Sequence, residues 1–489
     1  MTDENAPTDL RRPSDETSGR ARRALIASGR AAAALVAAVA ASALAVGVLL
    51  VPSPSAAPAV PSQLVTPERA DQTLVCAGGA IGLARGDDPA PTVVADPVRA
   101  AFGPGLVEGA LGASDAAGGG AAVITLPREA PGDALAAAER VRASTPDVSG
   151  LAASECLTPA RSAWLVGGST TVGRTTWIVL SNADVVDAVV DLRLWGENGP
   201  IEAVGATGII VAAGSQRVLP LAGLAVDEPS PVVQVTSSGG SVAATLQTSI
   251  VRGLDPDGLS VITPVLAPDV RHVIPALPVI GLDAVLARFS TDGAADALTA
   301  LRMLAPGDEP VEVTVTLVAE SGALGLTTQT TLDPGVVLDL PFTKLADGEY
   351  GVVVEASAPI VVAGRTSVAG AGTGSGTAAS SADVEWFTPT TALQPGQETL
   401  AAVAPLSGGQ LAALHLLAPG GAEVEVDGVV IAVPPGAVVS VAVANDAGLR
   451  IRSTALVHAS LTYRSDGLLA GSRVAPPPAA AGAVTVLPG

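Results

Sequence analysis

The sequence predicts a mainly β protein: tandem immunoglobulin-like antiparallel β-sandwiches behind an N-terminal transmembrane helix, with a small α/β or β N-terminal extracytoplasmic region. Three observations carry that expectation. One phrase occurs three times, as "VAAGSQRVLPL" (211–221), "LDPGVVLDLPF" (332–342) and "VPPGAVVSVAV" (433–443). Each copy is flanked by runs that alternate apolar and polar residues. Glycine (54) and proline (39) are abundant while Phe, Trp and Tyr total ten, which favours short elements joined by turns over long helices.

At 489 residues the chain exceeds one core, so three or four domains are expected. Upstream of the three glycines lie "AVVDLRLWGENG" (188–199), "PVEVTVTLVAESG" (310–322) and "GAEVEVDG" (421–428). In the second run Val311, Val313, Val315 and Leu317 alternate with Glu312, Thr314 and Thr316, the period of a half-exposed strand. Downstream, "PVVQVTSSGGSVAATLQTS" (231–249), "YGVVVEASAPIVVAGRTS" (350–367) and "LRIRSTALVHASLTYRS" (449–465) each read as strand, hairpin turn, strand. "VITP" (261–264) and "WFTP" (386–389) occupy corresponding exits of the first two copies. A module of about 100 residues built this way buries one apolar layer between two sheets. Without the Cys–Trp–Cys core, the expectation is a sandwich by pattern rather than a true immunoglobulin domain. The expected sandwiches occupy 171–270, 285–395 and 396–475, forming an elongated stalk or a bent array.

The N-terminal part divides differently. Residues 31–51, "AAAALVAAVAASALAVGVLLV", lack charge and proline, and as a helix they would span about 30 Å, one hydrocarbon thickness. Arg20, Arg22, Arg23 and Arg30 precede them, so the positive-inside bias places the tail 1–30 in the cytoplasm and the bulk outside. A cleaved signal peptide is the competing reading, given "SPSAAPA" at 53–59 and the twin-arginine-like "ARRALI" at 21–26. Residues 52–68 read as a Pro/Ser/Ala linker and 476–489 as a disordered tail. Within 69–170, "GDALAAAERVRAS" (132–144) predicts a helix opened by Asp133 as N-cap. That region is either an α/β cap or strands completing the first sandwich.

Cys76 and Cys156, the only cysteines, both lie beyond the expected anchor. An even pair in an oxidising compartment suggests one disulfide, with two buried free thiols as the alternative. No CxxC or Cys/His cluster exists, which dismisses a zinc site.

The stretch "CLTPARSAWLVGGSTTVGRTTWIVLSNADVVDAVVDLRLWGENGP" (156–200), followed by "VAAGSQRVLPLAGLA", resembles an uncharacterised actinobacterial domain family of single-pass, membrane-anchored secreted proteins. The resemblance covers roughly 70–475. It rests on the Cys-then-Trp-Gly-Gly run, the Asn-Ala turn and the "AGS…LPL" hairpin; Asn182-Ala183 stands where the family pattern has Asn-Pro. It implies export, an anchor and β domains, and it lends no catalytic residue.

Chemistry is sparse. Of 26 cations and 47 acids, six and five lie in the first thirty residues, leaving 20 against 42. Such a field repels a phosphate backbone, so no nucleic acid is expected. Lys344 is the only lysine and has no serine three residues earlier, which removes SxxK and P-loop chemistry. No GxSxG elbow accompanies His272, in a Pro-rich interdomain segment, or His415 and His458 on strands. Asp383 and Glu385 share one face of "ADVEWF" beside Trp386, and paired acids near an aromatic could act on glycans. Acids alternating on a strand are more often its solvated face, so the three are surface-site candidates only. "DPDG" (255–258) reads as an acidic turn before a calcium loop, "AGAGTGSGTAASS" (369–381) as a glycine loop, and "RGD" (85–87) as a polar turn.

No catalytic, cofactor-binding or metal-binding residue is therefore assigned. The expected protein is a non-catalytic, membrane-anchored cell-envelope component that binds or positions another, whether a membrane protein or cell-wall material. An accessory subunit of a membrane enzyme or transporter is the alternative, with Ala40, Ala41, Ser42 and Gly47 permitting close helix approach. An envelope hydrolase comes last.

Overall fold

The computed structural model describes residues 32–43, 63–65, 69–84, 90–132, 134–288, 295–320, 322, 324–370, 382–444, 448–476 and 484–486. Two compact units emerge, 1–67 with 481–489, and 68–480. In the first unit, residues 32–43 form an exposed helix, and Gln63–Val65 pairs antiparallel with Val484–Val486. Those two short strands depart from the linker and disordered tail expected there. Residues 31 and 44–51 of the expected membrane span lie outside the described residues, as do "RGD" and most of the glycine loop. Among the described residues no helix is long and apolar enough to cross a membrane.

Within 68–480 one pattern of antiparallel pairing occurs four times. In the second module, one sheet runs Asp255–Ile262, Ala243–Arg252, Arg174–Asn182, Ser215–Pro220. The other runs Ser162–Val166, Val232–Gly239, Ala188–Gly196, with Gly199–Ile201 and Ile209–Val211 on the outer edge. The fourth module repeats that order: Leu468–Arg473, His458–Ser465, Leu411–Leu417, Val438–Val443 against Thr399–Ala402, Gly448–Ser453, Ala422–Val426, Val429–Val433. The third also repeats it, except that Gly348–Ala369 is one 22-residue strand whose two halves serve different partners.

The first module keeps the same order in shortened form. Ser149–Glu155, Ala136–Ser144 and Pro97–Phe102 make one sheet; Gln72–Val75, Ala122–Leu126 and Val107–Ala110 make the other. The region expected as a cap is thus a fourth copy. Its expected helix is a strand, Ala136–Ser144, with Asp133 outside the described residues. The alanine-rich run has helical propensity, but neighbours on both edges and both faces bury Ala137 through Val141. Burial on both faces erases the period of two, and tertiary context overrides a propensity worth only tenths of a kcal/mol per residue.

The repeated glycine phrase has a single geometric role. Ile209–Val211 and Ser215–Pro220 belong to different sheets, as do Val429–Val433 and Val438–Val443; Leu324–Leu332 and Val337–Pro341 lie outside Val311–Ala319 and Ala300–Leu304, which pair with opposite halves of the long strand Gly348–Ala369. The turn carries the chain from one layer to the other, so the expected "AGS…LPL" hairpin is an arch. Gly214, Gly335 and Gly436 sit at φ 65°, 71° and 63°, where an L side chain is strained. The downstream turns also change sheet: Val232–Gly239 and Ala243–Arg252 lie in opposite layers, as do Gly448–Ser453 and His458–Ser465. Each pair of layers shares one apolar core, with Leu165, Ile178, Leu192 and Leu246 meeting in the second module.

The modules are not strung out as a stalk or bent array. Each ends in a strand that packs into another module's core: Leu151 and Ala153 of the first enter the fourth, and Leu469 of the fourth enters the third. Trp386 of the third enters the second, and Leu259 and Val261 of the second pack on the first. The exchange closes on itself.

Candidate functional site

The four closing strands, Ser149–Glu155, Asp255–Ile262, Ala382–Phe387 and Leu468–Arg473, meet where the modules join. Asp383 lies among them, 1% exposed. Its Oδ2 accepts from the backbone N–H of Leu151 (2.8 Å) and Leu469 (3.3 Å), and its Oδ1 from Leu259 (3.0 Å) and Val384 (3.1 Å). One carboxylate thus takes one donor from every module. Glycine makes the approach possible: a Cβ on Gly150 would stand 2.5 Å from the Leu259 nitrogen and 2.6 Å from Asp383 Oδ1.

Asp383 and Glu385 share a strand face as the alternation predicts, but that face is not solvated. Both acids and Trp386 are buried, because the neighbouring closing strands cover them. Glu385 Oε1 accepts from Gly471 N at 3.2 Å, while its Oε2 has no hydrogen-bond partner among the described residues. Burial pushes both acids well above the ordinary carboxylate range; Asp383's charge adds to the rise at Glu385, and the backbone donors oppose it at Asp383. Trp386 carries the guanidinium carbons of Arg302 and Arg365 at 4.8 and 5.4 Å from its ring centroid. It is a packing surface for arginine, closed to a sugar.

Buried ionic ties join the second and third modules. Arg302, with no side-chain exposure, donates to Asp339 Oδ1 at 2.8 Å and reaches back to the Gly168 and Pro229 carbonyls at 2.8 and 3.0 Å. Burial alone would raise Asp339, yet Arg302 and Arg365 hold it below the usual range. Arg174 and Arg252 converge on Asp296 in the same way. "DPDG" opens the strand Asp255–Ile262 rather than forming the expected acidic turn, and its Asp257 faces Arg252 at 3.8 Å.

The histidines are all interior or nearly so. His272 belongs to strand Asp269–Val279 rather than an interdomain segment, its Nε2 2.8 Å from the Ile360 carbonyl. His415 lies between Thr462 Oγ1 (2.8 Å) and Ser440 Oγ (3.0 Å), and burial lowers it to about 3. His458 falls to about 4 for the same reason. Half-buried Ser440 and the Glu349 carboxylate, 4.0 Å away, both approach His415 at the same ring nitrogen, Nδ1, so the three do not form a relay through the two sides of the imidazole, and no group of three or more His, Cys, Asp or Glu side chains suited to a metal occurs among the described residues.

Where the closing strands leave the junction, the structure holds a cavity of about 410 Å³. The exits of the first, second and fourth modules line it, together with Thr391 and Leu400–Ala402. Its one ion pair joins Glu155 to Arg473: Arg473 Nε donates to Oε1 at 2.7 Å, its backbone N to Oε2 at 3.0 Å, and Nη1 to the Pro264 carbonyl at 2.8 Å. Beside it the Cys76–Cys156 disulfide ties the first module's opening strand to its exit, as the cysteine count suggested.

The sequence carried one unread signal of this junction. "TP" follows not two closing strands but three, as Thr158-Pro159, Thr263-Pro264 and Thr388-Pro389, and Ala475-Pro476 holds the fourth place. Thr263 and Thr388 hydroxyls meet at 3.2 Å.

No curated protein matches the chain. Among solved structures, a biofilm associated protein BSP domain aligns at 9% identity over 85% of this chain and 91% of that one, but its TM-score of 0.11 carries no argument. A family model does match, over residues 112–444, more than half of the chain. The chain belongs to that family, the family of unknown function DUF5719.

Proposed function

We propose that this is a non-catalytic, extracytoplasmic protein of the cell envelope, held at the membrane through residues 31–51, whose tandem immunoglobulin-like sandwiches bind or position another envelope component. One observation carries the non-catalytic part. The acid pair that sequence patterning singled out, Asp383 and Glu385, is enclosed and committed to backbone donors from the other modules. A glycan hydrolase needs two carboxyls flanking an accessible bond; these two act as ties. Modules locked at their closing strands present edges and loops outward, which suits recognition of a macromolecule.

Crosslinking of the full chain in its native membrane, followed by mass spectrometry, tests the reading. Recurrent crosslinks from the modules to one wall or envelope component support it. Crosslinks confined to one membrane enzyme through 31–51 would replace it with the accessory-subunit role, and turnover of an envelope glycan by the purified chain would overturn both.

A further inference from the structure

We infer that the exit cavity is a binding site for the aliphatic chain of an amphiphile. This deepens the binding reading above by naming a ligand class, and its test is separate. At about 410 Å³ the cavity falls within the ~300–1,000 Å³ range of small-molecule sites. Its wall is built from Leu74, Leu135, Leu157, Leu400, Val242 and Val474, with alanines between them widening the space. It contains no Phe, Tyr or Trp, so a sugar or a flat ring finds no stacking face.

The polar groups narrow the choice further. Glu155 and Arg473 satisfy each other and the Pro264 carbonyl, which leaves no free charge to recognise a phosphate, a carboxylate or a metal. An apolar chain is what such a wall rewards: it displaces water from carbon surface and asks for no hydrogen bond. Leu266, 56% exposed and part of the lining, marks the side open to solvent, where a headgroup of any chemistry remains outside. The site draws on the first, second and fourth modules and on Thr391 beyond the third module's closing strand, so it exists only when they are assembled.

The test titrates the full chain with cis-parinaric acid, whose fluorescence rises in an apolar site. The wild type should bind one equivalent saturably. Leu400→Glu should weaken binding at least tenfold, and Leu266→Glu at the exposed rim, where folding is not at risk, about threefold. Val204→Glu, at a position 97% exposed and outside the lining, should change nothing. Hexadecanol and palmitate should displace the probe within threefold of each other, because the head is not read. No saturable binding, equal loss at Val204, or no loss at Leu400 and Leu266 overturns the inference, as does a tenfold preference for the charged competitor. A chain that fails this test yet crosslinks to one envelope component keeps the proposed function and loses the lipid.

Discussion

Replacing Asp383 by alanine removes an acceptor that four backbone N–H groups share, one from each module. The site is closed to bulk solvent, since Asp383 is 1% exposed. A buried donor left without a partner costs about 1–3 kcal/mol. Four donors at the low end of that range place the loss near 4 kcal/mol, offset in part by removing a carboxyl that burial disfavours. Asp383→Asn keeps one acceptor oxygen but turns an NH₂ toward two of the donors, so about half the loss is expected. The assay is urea unfolding followed by circular dichroism on the full chain. If the closing strands couple the modules, the wild type unfolds in one dominant transition and Asp383→Ala in several, beginning at lower urea. A single unchanged transition, with a loss below about 1 kcal/mol, would refute the reasoning that the carboxylate ties the modules together.

Further outcomes follow from the same contacts. Arg302→Met leaves Arg365 as the one cation beside the Asp339 carboxylate, with the Ser230 hydroxyl, and removing one partner of a buried pair predicts a loss of about 3–5 kcal/mol by the same unfolding assay. Gly436→Ala meets no atom within 4 Å, so its cost is the left-handed backbone alone, about 1–2 kcal/mol in thermal or urea unfolding. Reducing Cys76–Cys156, which closes a separation of 80 residues, should lower stability by about 4 kcal/mol in the chain-entropy model, read as a shift of the urea midpoint under reductant. For pH, His415 is depressed from 6.5 to about 3 by burial, so its contribution is complete above 6.5 and is lost as pH falls toward 3. Glu139 is raised to about 7, so its contribution is present below 4.5 and lost as pH rises to 7. Each slope amounts to about 1.4 kcal/mol per pH unit within its window; His415→Gln should flatten the acid limb and Glu139→Gln the neutral one.

Three of the four modules were legible because their outer strands keep one wet face. Val311–Ala319 alternates buried valines with Glu312, Thr314 and Thr316, and nothing overrides that pattern. The first module was not legible. Its strand Ala136–Ser144 is alanine-rich and buried without a break from Ala137 to Val141, and the resulting "DALAAAERV" mimics a helix. The junction was hidden for the same reason: Ala382–Phe387 is buried at every position, so alternation located Asp383 and Glu385 on one face but could not say that three other strands cover that face. Contacts such as Leu151 to Asp383 join residues 232 apart in the chain, which no local period records. The cysteine pairing succeeded because two thiols allow only one disulfide. The exit cavity left no mark in the sequence beyond the recurring "TP", whose meaning depends on knowing that the exits converge.

The closure of four modules on one carboxylate is tested most directly by hydrogen exchange with mass spectrometry on the full chain, comparing wild type with Asp383→Ala. Peptides covering 149–155, 255–262, 382–387 and 468–473 should be slow in the wild type, and all four should lose protection together in the variant. Loss confined to 382–387, with the other three strands as protected as before, would contradict a shared tie and leave Asp383 as a local feature of its own module.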